Sequence, residues 1–257
     1  MLDFPEIFMA EPPPDDFVAR PVEFEGVVGA LLAEDGQGPV GISAALRGAG
    51  GYGKTTLARA ACWDERVARA FPDGILWVTL GENPGEAGLL KKIKDLVEML
   101  SGQHPSFEEI QPAAVRLRHL LRGRRALLVV DDAWKAEDLK PFLQPASRAV
   151  VLVTTRHDDI LPEQTRRIAV DAMRPLEAAE LLGKGAGDAG QWARCGAEVQ
   201  GLARRLGEWP LLLKLANGVL KDLLRHGDTL DGALRGLHQR LDRSGLTAFD
   251  VRSACSR

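Results

Sequence analysis

Short apolar runs alternate with helix-patterned segments through the first two-thirds of the chain. Continuous apolar runs of this length predict strands that are buried on both faces, as in parallel sheets. The strand candidates are residues 40–46, 75–80, 126–134, 148–156 and 167–170, and the helical spacing falls on residues 21–32, 55–70, 88–100 and 112–121. This alternation predicts an α/β fold with a mostly parallel five-stranded sheet flanked by helices.

The pattern changes after Val170, where every apolar segment has helical spacing and is separated from the next by Gly or Pro. We therefore predict an α/β domain at residues 17–170, followed in the sequence by a small all-helical domain at residues 171–250. Residues 1–16 are acidic and Pro-rich and lack the basic and apolar regions of a signal peptide, so they are interpreted as a leader or linker.

A glycine-rich turn with the sequence GAGGYGKTT follows the first predicted strand and precedes a predicted helix. Its spacing fits the P-loop pattern, in which backbone N–H groups surround a phosphate and the helix directs its positive N-terminus at the anion. The lysine reaches the β- and γ-phosphates, and the hydroxyl after it can bind Mg²⁺. The predicted nucleotide-binding residues here are Gly48, Gly50, Gly51, Tyr52, Gly53, Lys54, Thr55 and Thr56.

Two acidic residues end the apolar strand LLVVDD. A strand beside the P-loop strand brings such acids to the Mg²⁺ site of P-loop proteins. We expect Asp131 to bind Mg²⁺ together with Thr55, and Asp132 to act on the attacking water as a catalytic residue together with Lys54. The sequence alone leaves open which of the two acids contacts the metal.

An arginine, Arg156, ends the strand with the sequence VTTR. Ligands of open α/β sheets bind at the carboxyl ends of the strands, so this side chain has two interpretations. It either senses the γ-phosphate through charge-assisted hydrogen bonds or is a solvated surface arginine.

Composition narrows the function classes further. The formal charge is −3, from 33 basic and 36 acidic residues, so no global basic field attracts nucleic acid. The three cysteines have no C-x-x-C spacing, and no apolar run reaches the roughly 18 residues that span a bilayer. We expect a cytoplasmic protein with no membrane contact and no direct nucleic-acid partner.

Four motifs together carry a resemblance to a known family. GAGGYGKTTLA, LLVVDDAW, VLVTTR and EWPLLL occur in this order and resemble the NB-ARC module of the STAND class of signalling NTPases. That class includes plant disease-resistance proteins, the apoptotic protease-activating factor and many bacterial regulators. The resemblance covers nearly the whole chain after about residue 17 and implies that Arg156 is the γ-phosphate sensor.

The resemblance also implies contacts with the nucleoside. Val18 would hydrogen-bond the base through its backbone, and Arg20 would lie near it. Pro210 would pack against the base or sugar. Glu208 and Trp209 depart from the usual Gly and Leu of the motif that contains this proline.

By the same resemblance, the chain is the core of a nucleotide-dependent switch in a bacterial-type signalling or defence protein. ADP would be bound at rest, ATP with Mg²⁺ would promote opening and self-association of the full-length protein, and hydrolysis would be slow. A winged-helix domain would begin at about residues 251–257, and the sensor and effector domains would lie outside this chain.

Two other functions remain open from the residues. A conventional P-loop enzyme such as a small-molecule kinase would need an arginine-containing lid over its acceptor, and no such pattern is recognisable. The nucleotide-binding core of a transcription regulator would need DNA contacts from elsewhere, since no helix-turn-helix pattern is visible here.

Overall fold

The structure, a computed structural model, describes residues 4–33, 39–44, 50–143, 148–186, 192 and 195–249. Its contacts divide the chain into two compact units. The first unit consists of Met1–Pro14 and Pro21–Val170, and the second of Asp15–Arg20 and Asp171–Arg257. The predicted tail at residues 251–257 lies outside the described residues.

The first unit is built on a five-stranded sheet in the order β2-β3-β4-β1-β5, and all four strand pairs are parallel. The predicted parallel five-stranded sheet is therefore confirmed. The central strands are apolar along most of their length because helices cover both faces. The strands are β1 Val40–Ala44, β2 Ile75–Thr79, β3 Leu127–Ala133, β4 Val150–Thr155 and β5 Arg166–Val170.

The helices of this unit mostly begin and end near their predicted positions. The prediction of a single helix over residues 55–70 is wrong, because the helix is interrupted at Trp63 and Asp64. The Asp64 carboxylate accepts the N–H of Arg66 at 2.8 Å and so caps a new helix. The bounds are α1 Pro21–Leu32, α2 Lys54–Cys62, α3 Glu65–Ala70, α4 Gly85–Ser101, α5 Ile110–Leu121 and α6 Ala136–Leu139.

The core of the first unit forms where α4 and α5 pack against the sheet. Apolar residues recur along α4 at helical spacing, and the buried ones include Leu89, Ile93 and Leu96. They meet the fully buried side chains of β3 and β4. The sheet is thereby fixed as a rigid base for the polar residues at the carboxyl ends of its strands.

The N-terminal segment, interpreted from the sequence as a leader or linker, groups with this unit over Met1–Pro14. The Ile75 N–H donates to the carbonyl of Ile7, and the Met9 N–H donates to the carbonyl of Ile75, both at 2.8 Å. The ring of Phe8 meets that of Trp63 edge to face, with centroids 5.3 Å apart. The segment thus pairs with the outer edge of β2, which would otherwise present unpaired backbone groups.

The second unit is helical, as the sequence predicts, with a core of leucine and alanine side chains. Residues 15–20 group with this unit rather than with the leader or the α/β domain. Val18 is buried in the helical core, which explains that grouping. The described helices are α7 Pro175–Gly183, α8 Gly196–Arg205, α9 Pro210–Arg225 and α10 Leu230–Ser244.

Candidate phosphate and metal site

The described part of the P-loop begins at Gly50, and Gly48 lies outside the described residues. Gly51 and Gly53 have φ angles of 81° and 85°, a left-handed conformation that glycine adopts without strain. Lys54 then starts α2, so the first N–H groups of this helix are available at the turn. Tyr52 is buried within the P-loop. The first turn of α2 contains Lys54, Thr55 and Thr56.

Lys54 is a buried cation, with only 8% of the residue exposed. Burial, and secondarily the charge of Arg156, lower the pKa of its ammonium group. Among the described residues Lys54 has no hydrogen bond or ion pair. Since a buried charge without a partner is costly, the site fits an anion such as a phosphate at this position.

Thr55 and Asp131 supply the oxygen atoms that fit a magnesium ion. The Thr55 hydroxyl donates to Oδ1 of Asp131 at 2.7 Å, and Asp131 is buried at the end of β3. Within the described ranges, no three metal-binding side chains cluster. Mg²⁺ commonly takes one or two protein ligands and completes its shell with phosphate and water. Thr55 and Asp131 would hold it there, where the ion would offset phosphate charge.

Asp132 lies on a β-bulge in β3. The register with β4 shifts between Val130 and Ala133, and Asp132 has a φ angle of 52°. Its N–H donates to Oγ1 of Thr154 at 2.9 Å. The bulge turns the Asp132 carboxylate toward Arg156, whose Nε lies 3.8 Å from Oδ1.

Arg156 lies against the P-loop rather than free on the surface. Its guanidinium carbon is 4.8 Å from the centre of the Trp134 ring, a cation–π distance. A Cβ atom added to Gly50 would lie 2.5 Å from its Nη1 atom, so the guanidinium approaches this glycine closely. The geometry therefore brings the arginine, the P-loop and Asp132 together, while a contact with the γ-phosphate stays a prediction.

Sequence reasoning missed two residues of this site. Trp134 packs on Arg156, and the Thr154 hydroxyl contacts both Asp131 and Asp132. Both belong to the motifs that identified their neighbours, VVDDAW and VTTR. No local pattern predicts either role, because each depends on a contact between the β3 segment and the β4 segment, including the residue that follows each strand.

The three residues predicted to contact the nucleoside belong to the second unit. Val18 is buried in the helical core, and Pro210 is the first residue of α9, where a missing N–H costs nothing. Arg20 is 5% exposed and lies 3.7 Å, Nε to Oε2, from Glu177. Its Nη2 also donates to the carbonyl of Ala172 at 3.1 Å. Their contacts with a base stay predictions.

Comparison with known proteins places this site in a family. The NB-ARC domain description matches residues 22–190. The regulatory protein AfsR of Streptomyces coelicolor is 32% identical over 180 residues, which cover 67% of this chain and 18% of AfsR. Disease resistance protein RGA2 of Solanum bulbocastanum is 38% identical over 122 residues, or 45% of this chain and 12% of RGA2. The chain thus spans less than a fifth of these relatives.

Solved structures share the fold at lower identity. A STAND protein with a tetratricopeptide repeat sensor from Pyrococcus horikoshii has a TM-score of 0.51 and 21% identity, covering 83% of this chain and 31% of that chain. A chain of Drosophila ORC bound to DNA has a TM-score of 0.56 and 16% identity, covering 89% and 62%. In the described ranges no helix is both long and apolar enough to cross a membrane.

The family match covers most of the chain, and the described P-loop, β3 acids and β4 arginine lie within it. The chain therefore belongs to the NB-ARC family of P-loop nucleotide-binding modules.

Proposed function

We propose that this chain is the core of a nucleotide-dependent switch. ADP is bound at rest, and ATP with Mg²⁺ promotes an open state that self-associates in the full-length protein. Different affinities of the two nucleotides for the two states supply the coupling. The names of the relatives, a regulatory protein and disease resistance proteins, support a signalling or defence role.

The observation that carries nucleotide binding is the buried Lys54 ammonium, which has no hydrogen bond or ion pair with the described residues. It stands at the start of α2, beside the Thr55–Asp131 pair. An anion at this position would relieve the cost of burying the charge, and a metal ion would find two oxygen ligands nearby. A nucleoside phosphate with Mg²⁺ meets both requirements.

The closeness of Arg156 to the Asp132 carboxylate supports slow hydrolysis. A general base must accept a proton from the attacking water, and Asp132 is the carboxylate that the bulge directs into the site. Its Oδ1 atom lies 3.8 Å from Nε of Arg156. While the arginine is close to this oxygen, the oxygen is less available to a water molecule. We therefore expect hydrolysis to reset the switch rather than to sustain rapid turnover.

The test is the nucleotide that remains bound after purification. The protein is denatured, and the released nucleotide is identified by chromatography and mass spectrometry while hydrolysis of added ATP is followed in parallel. We expect ADP at close to one equivalent and slow turnover. Fast multiple turnover without retained ADP would exclude the switch.

A transcription-regulator core is a second candidate, supported by the similarity to the regulatory protein AfsR. This function would require DNA contacts, and the net charge of −3 argues against strong contacts from this chain. Duplex binding that weakens steeply with salt would favour it.

A small-molecule kinase would instead transfer phosphate to a member of a metabolite panel.

A further inference from the structure

Thr154 in β4 connects the two acidic residues of the site through one hydroxyl group. The residue is 1% exposed. Its Oγ1 donates to Oδ1 of Asp131 at 2.7 Å and accepts the N–H of Asp132 at 2.9 Å. A single buried atom thus contacts the side chain of one acid and the backbone of the next.

The hydroxyl takes the place of a strand contact. In regular parallel pairing, an N–H of β3 donates to a carbonyl of β4. At the bulge the Asp132 N–H points instead to the Thr154 side chain. Without this acceptor, a buried N–H would lose its partner, and the left-handed conformation of Asp132 would lose one of its supports.

The same hydroxyl orients the Asp131 carboxylate. Oδ1 of Asp131 accepts hydrogen bonds from Thr154 and from Thr55, each at 2.7 Å. Thr154 approaches from β4, and Thr55 approaches from the first turn of α2. Together with a longer hydrogen bond from the Thr79 hydroxyl to Oδ2 at 3.4 Å, these contacts hold the carboxylate with Oδ1 facing the P-loop.

We propose that Thr154 is a positioning residue for both acids. It holds Asp131 in the orientation that suits Mg²⁺, and it holds the bulge that directs Asp132 toward Arg156. The proposal rests on the proposed function in one respect, that the site binds a nucleotide with Mg²⁺. It adds a residue that touches neither ligand and acts through Asp131 and Asp132.

The next residue, Thr155, offers a matched control. It is also fully buried at the end of β4, and its hydroxyl donates to the carbonyl of Ala133 at 2.7 Å and accepts the His157 N–H at 2.9 Å. It therefore makes the same number of strong hydrogen bonds without contacting either acid. A purely structural need for a buried hydroxyl would affect both threonines equally.

The experiment compares Thr154→Val, Thr154→Ser and Thr155→Val with the unmodified chain. Binding of ADP and of ATP is measured by calorimetry, once with Mg²⁺ and once with EDTA, and thermal unfolding is recorded for each variant. For each nucleotide, the affinity with Mg²⁺ divided by the affinity in EDTA gives the gain from Mg²⁺. This gain isolates the Asp131 contact from phosphate binding and from folding.

We expect Thr154→Val to reduce the Mg²⁺ gain between about 10-fold and about 100-fold, the range for losing hydrogen bonds to a charged group. Its affinity in EDTA should stay within about 2-fold of the unmodified chain, since Lys54 and the P-loop are untouched. Thr154→Ser restores the hydroxyl and should recover most of the gain. Thr155→Val should lower the unfolding temperature but keep the gain.

Two outcomes would overturn the proposal: an unchanged Mg²⁺ gain in Thr154→Val, or an equal loss in Thr155→Val. If Thr154→Val does not fold, Thr154→Ala and Thr154→Ser are compared in the same way, and equal gains in that pair would overturn it. Absence of nucleotide binding by the unmodified chain would instead refute the proposed function. The two failures are thus distinguishable.

Discussion

Each unit of the protein buries a positively charged side chain, and the two are treated differently. Arg20 in the second unit is 5% exposed and has Glu177 and the Ala172 carbonyl as partners. Lys54 in the first unit is 8% exposed and has no hydrogen bond or ion pair with the described residues. Burying the unpaired charge of Lys54 costs the fold more free energy than burying the paired charge of Arg20, because a buried charge is tolerated chiefly when it is paired.

The difference separates a structural charge from one that awaits a ligand. Arg20 is compensated by its own unit, so its removal should damage folding. Lys54 has no hydrogen bond or ion pair with the described residues, and Asp131 and Asp132 act on its charge only at longer range, so its removal should damage binding and leave folding intact. A ligand that pairs with Lys54 should also stabilise the protein, because it binds the native state alone.

The largest expected effect tests the paired cation. Arg20→Met removes one partner of a buried ion pair and leaves Glu177 with less compensation. We expect the free energy of unfolding to fall by about 3 kcal/mol, measured by urea denaturation. Arg174→Met is the matched control, since Arg174 also contacts Glu177, at 3.3 Å, but its side chain is 48% exposed. The control should lose under about 1 kcal/mol, and equal losses would contradict the comparison.

The unpaired cation should give the opposite result. We expect Lys54→Ala to weaken ADP and ATP by at least about 100-fold, or about 2.7 kcal/mol, in calorimetric titrations. The unliganded protein should unfold at the same temperature as the unmodified chain or higher, because a buried charge is removed. Lys91→Ala, an exposed lysine on α4, should change neither quantity. Unchanged ADP affinity in Lys54→Ala would refute the P-loop assignment.

These contrasts also show which features the sequence could predict. The parallel sheet follows from continuous apolar runs such as that of β3, and the P-loop follows from local glycine chemistry. The sequence does not predict the interruption at Asp64, because the apolar residues keep helical spacing across it. There the Asp64 side chain caps a new helix instead. The pairing of Ile7 with Ile75 and the contact of Thr154 with Asp132 join residues distant in sequence, so no local pattern encodes them.

The third prediction asks what Arg156 adds to Lys54. If Arg156 senses the γ-phosphate, Arg156→Ala should weaken ATP about 10-fold, or about 1.4 kcal/mol, and ADP much less. Competition titrations of the two nucleotides measure this ratio. Arg167→Ala is the control, since Arg167 forms an ion pair with Asp158, 3.4 Å away, and has no contact with the P-loop in the described structure. Equal losses of ATP and ADP would mean that Arg156 is not a sensor.

The fourth prediction compares backbone strain in the two units. The P-loop uses glycine for its left-handed residues, whereas Glu208, before α9, has a φ angle of 53°. Glu208→Gly should therefore raise the free energy of unfolding by about 1 kcal/mol, measured in urea. Gly207→Ala is the matched opposite in the same turn, since Gly207 has a φ angle of 65° and open space around it. It should lower stability, and a change of the same sign in both variants would exclude strain as the cause.

The smallest expected effect concerns a third kind of cation, one that is paired and exposed. Arg66 joins α3 to α1 by donating to Asp64 and to Glu25, each at 2.9 Å, with 48% of its side chain exposed. Its hydrogen bonds lower the pKa of both carboxyl groups. Because the folded pKa values are depressed, this stabilisation is present above the ordinary carboxyl pKa near 4 and is lost as the pH falls through the lower folded values.

Arg66→Ala should therefore be slightly less stable than the unmodified chain at pH 7, and the gap should close toward pH 3. Urea denaturation across this range measures the gap. Arg69→Ala is the control, because Arg69 forms an exposed ion pair with Glu65 within α3 and makes no bridge to α1 among the described contacts. A gap that stays constant between pH 7 and pH 3 would show that Arg66 acts through packing of its stem and not through its charge. That result would remove Arg66 from the comparison and leave Arg20 and Lys54 as the two cations that distinguish folding from binding.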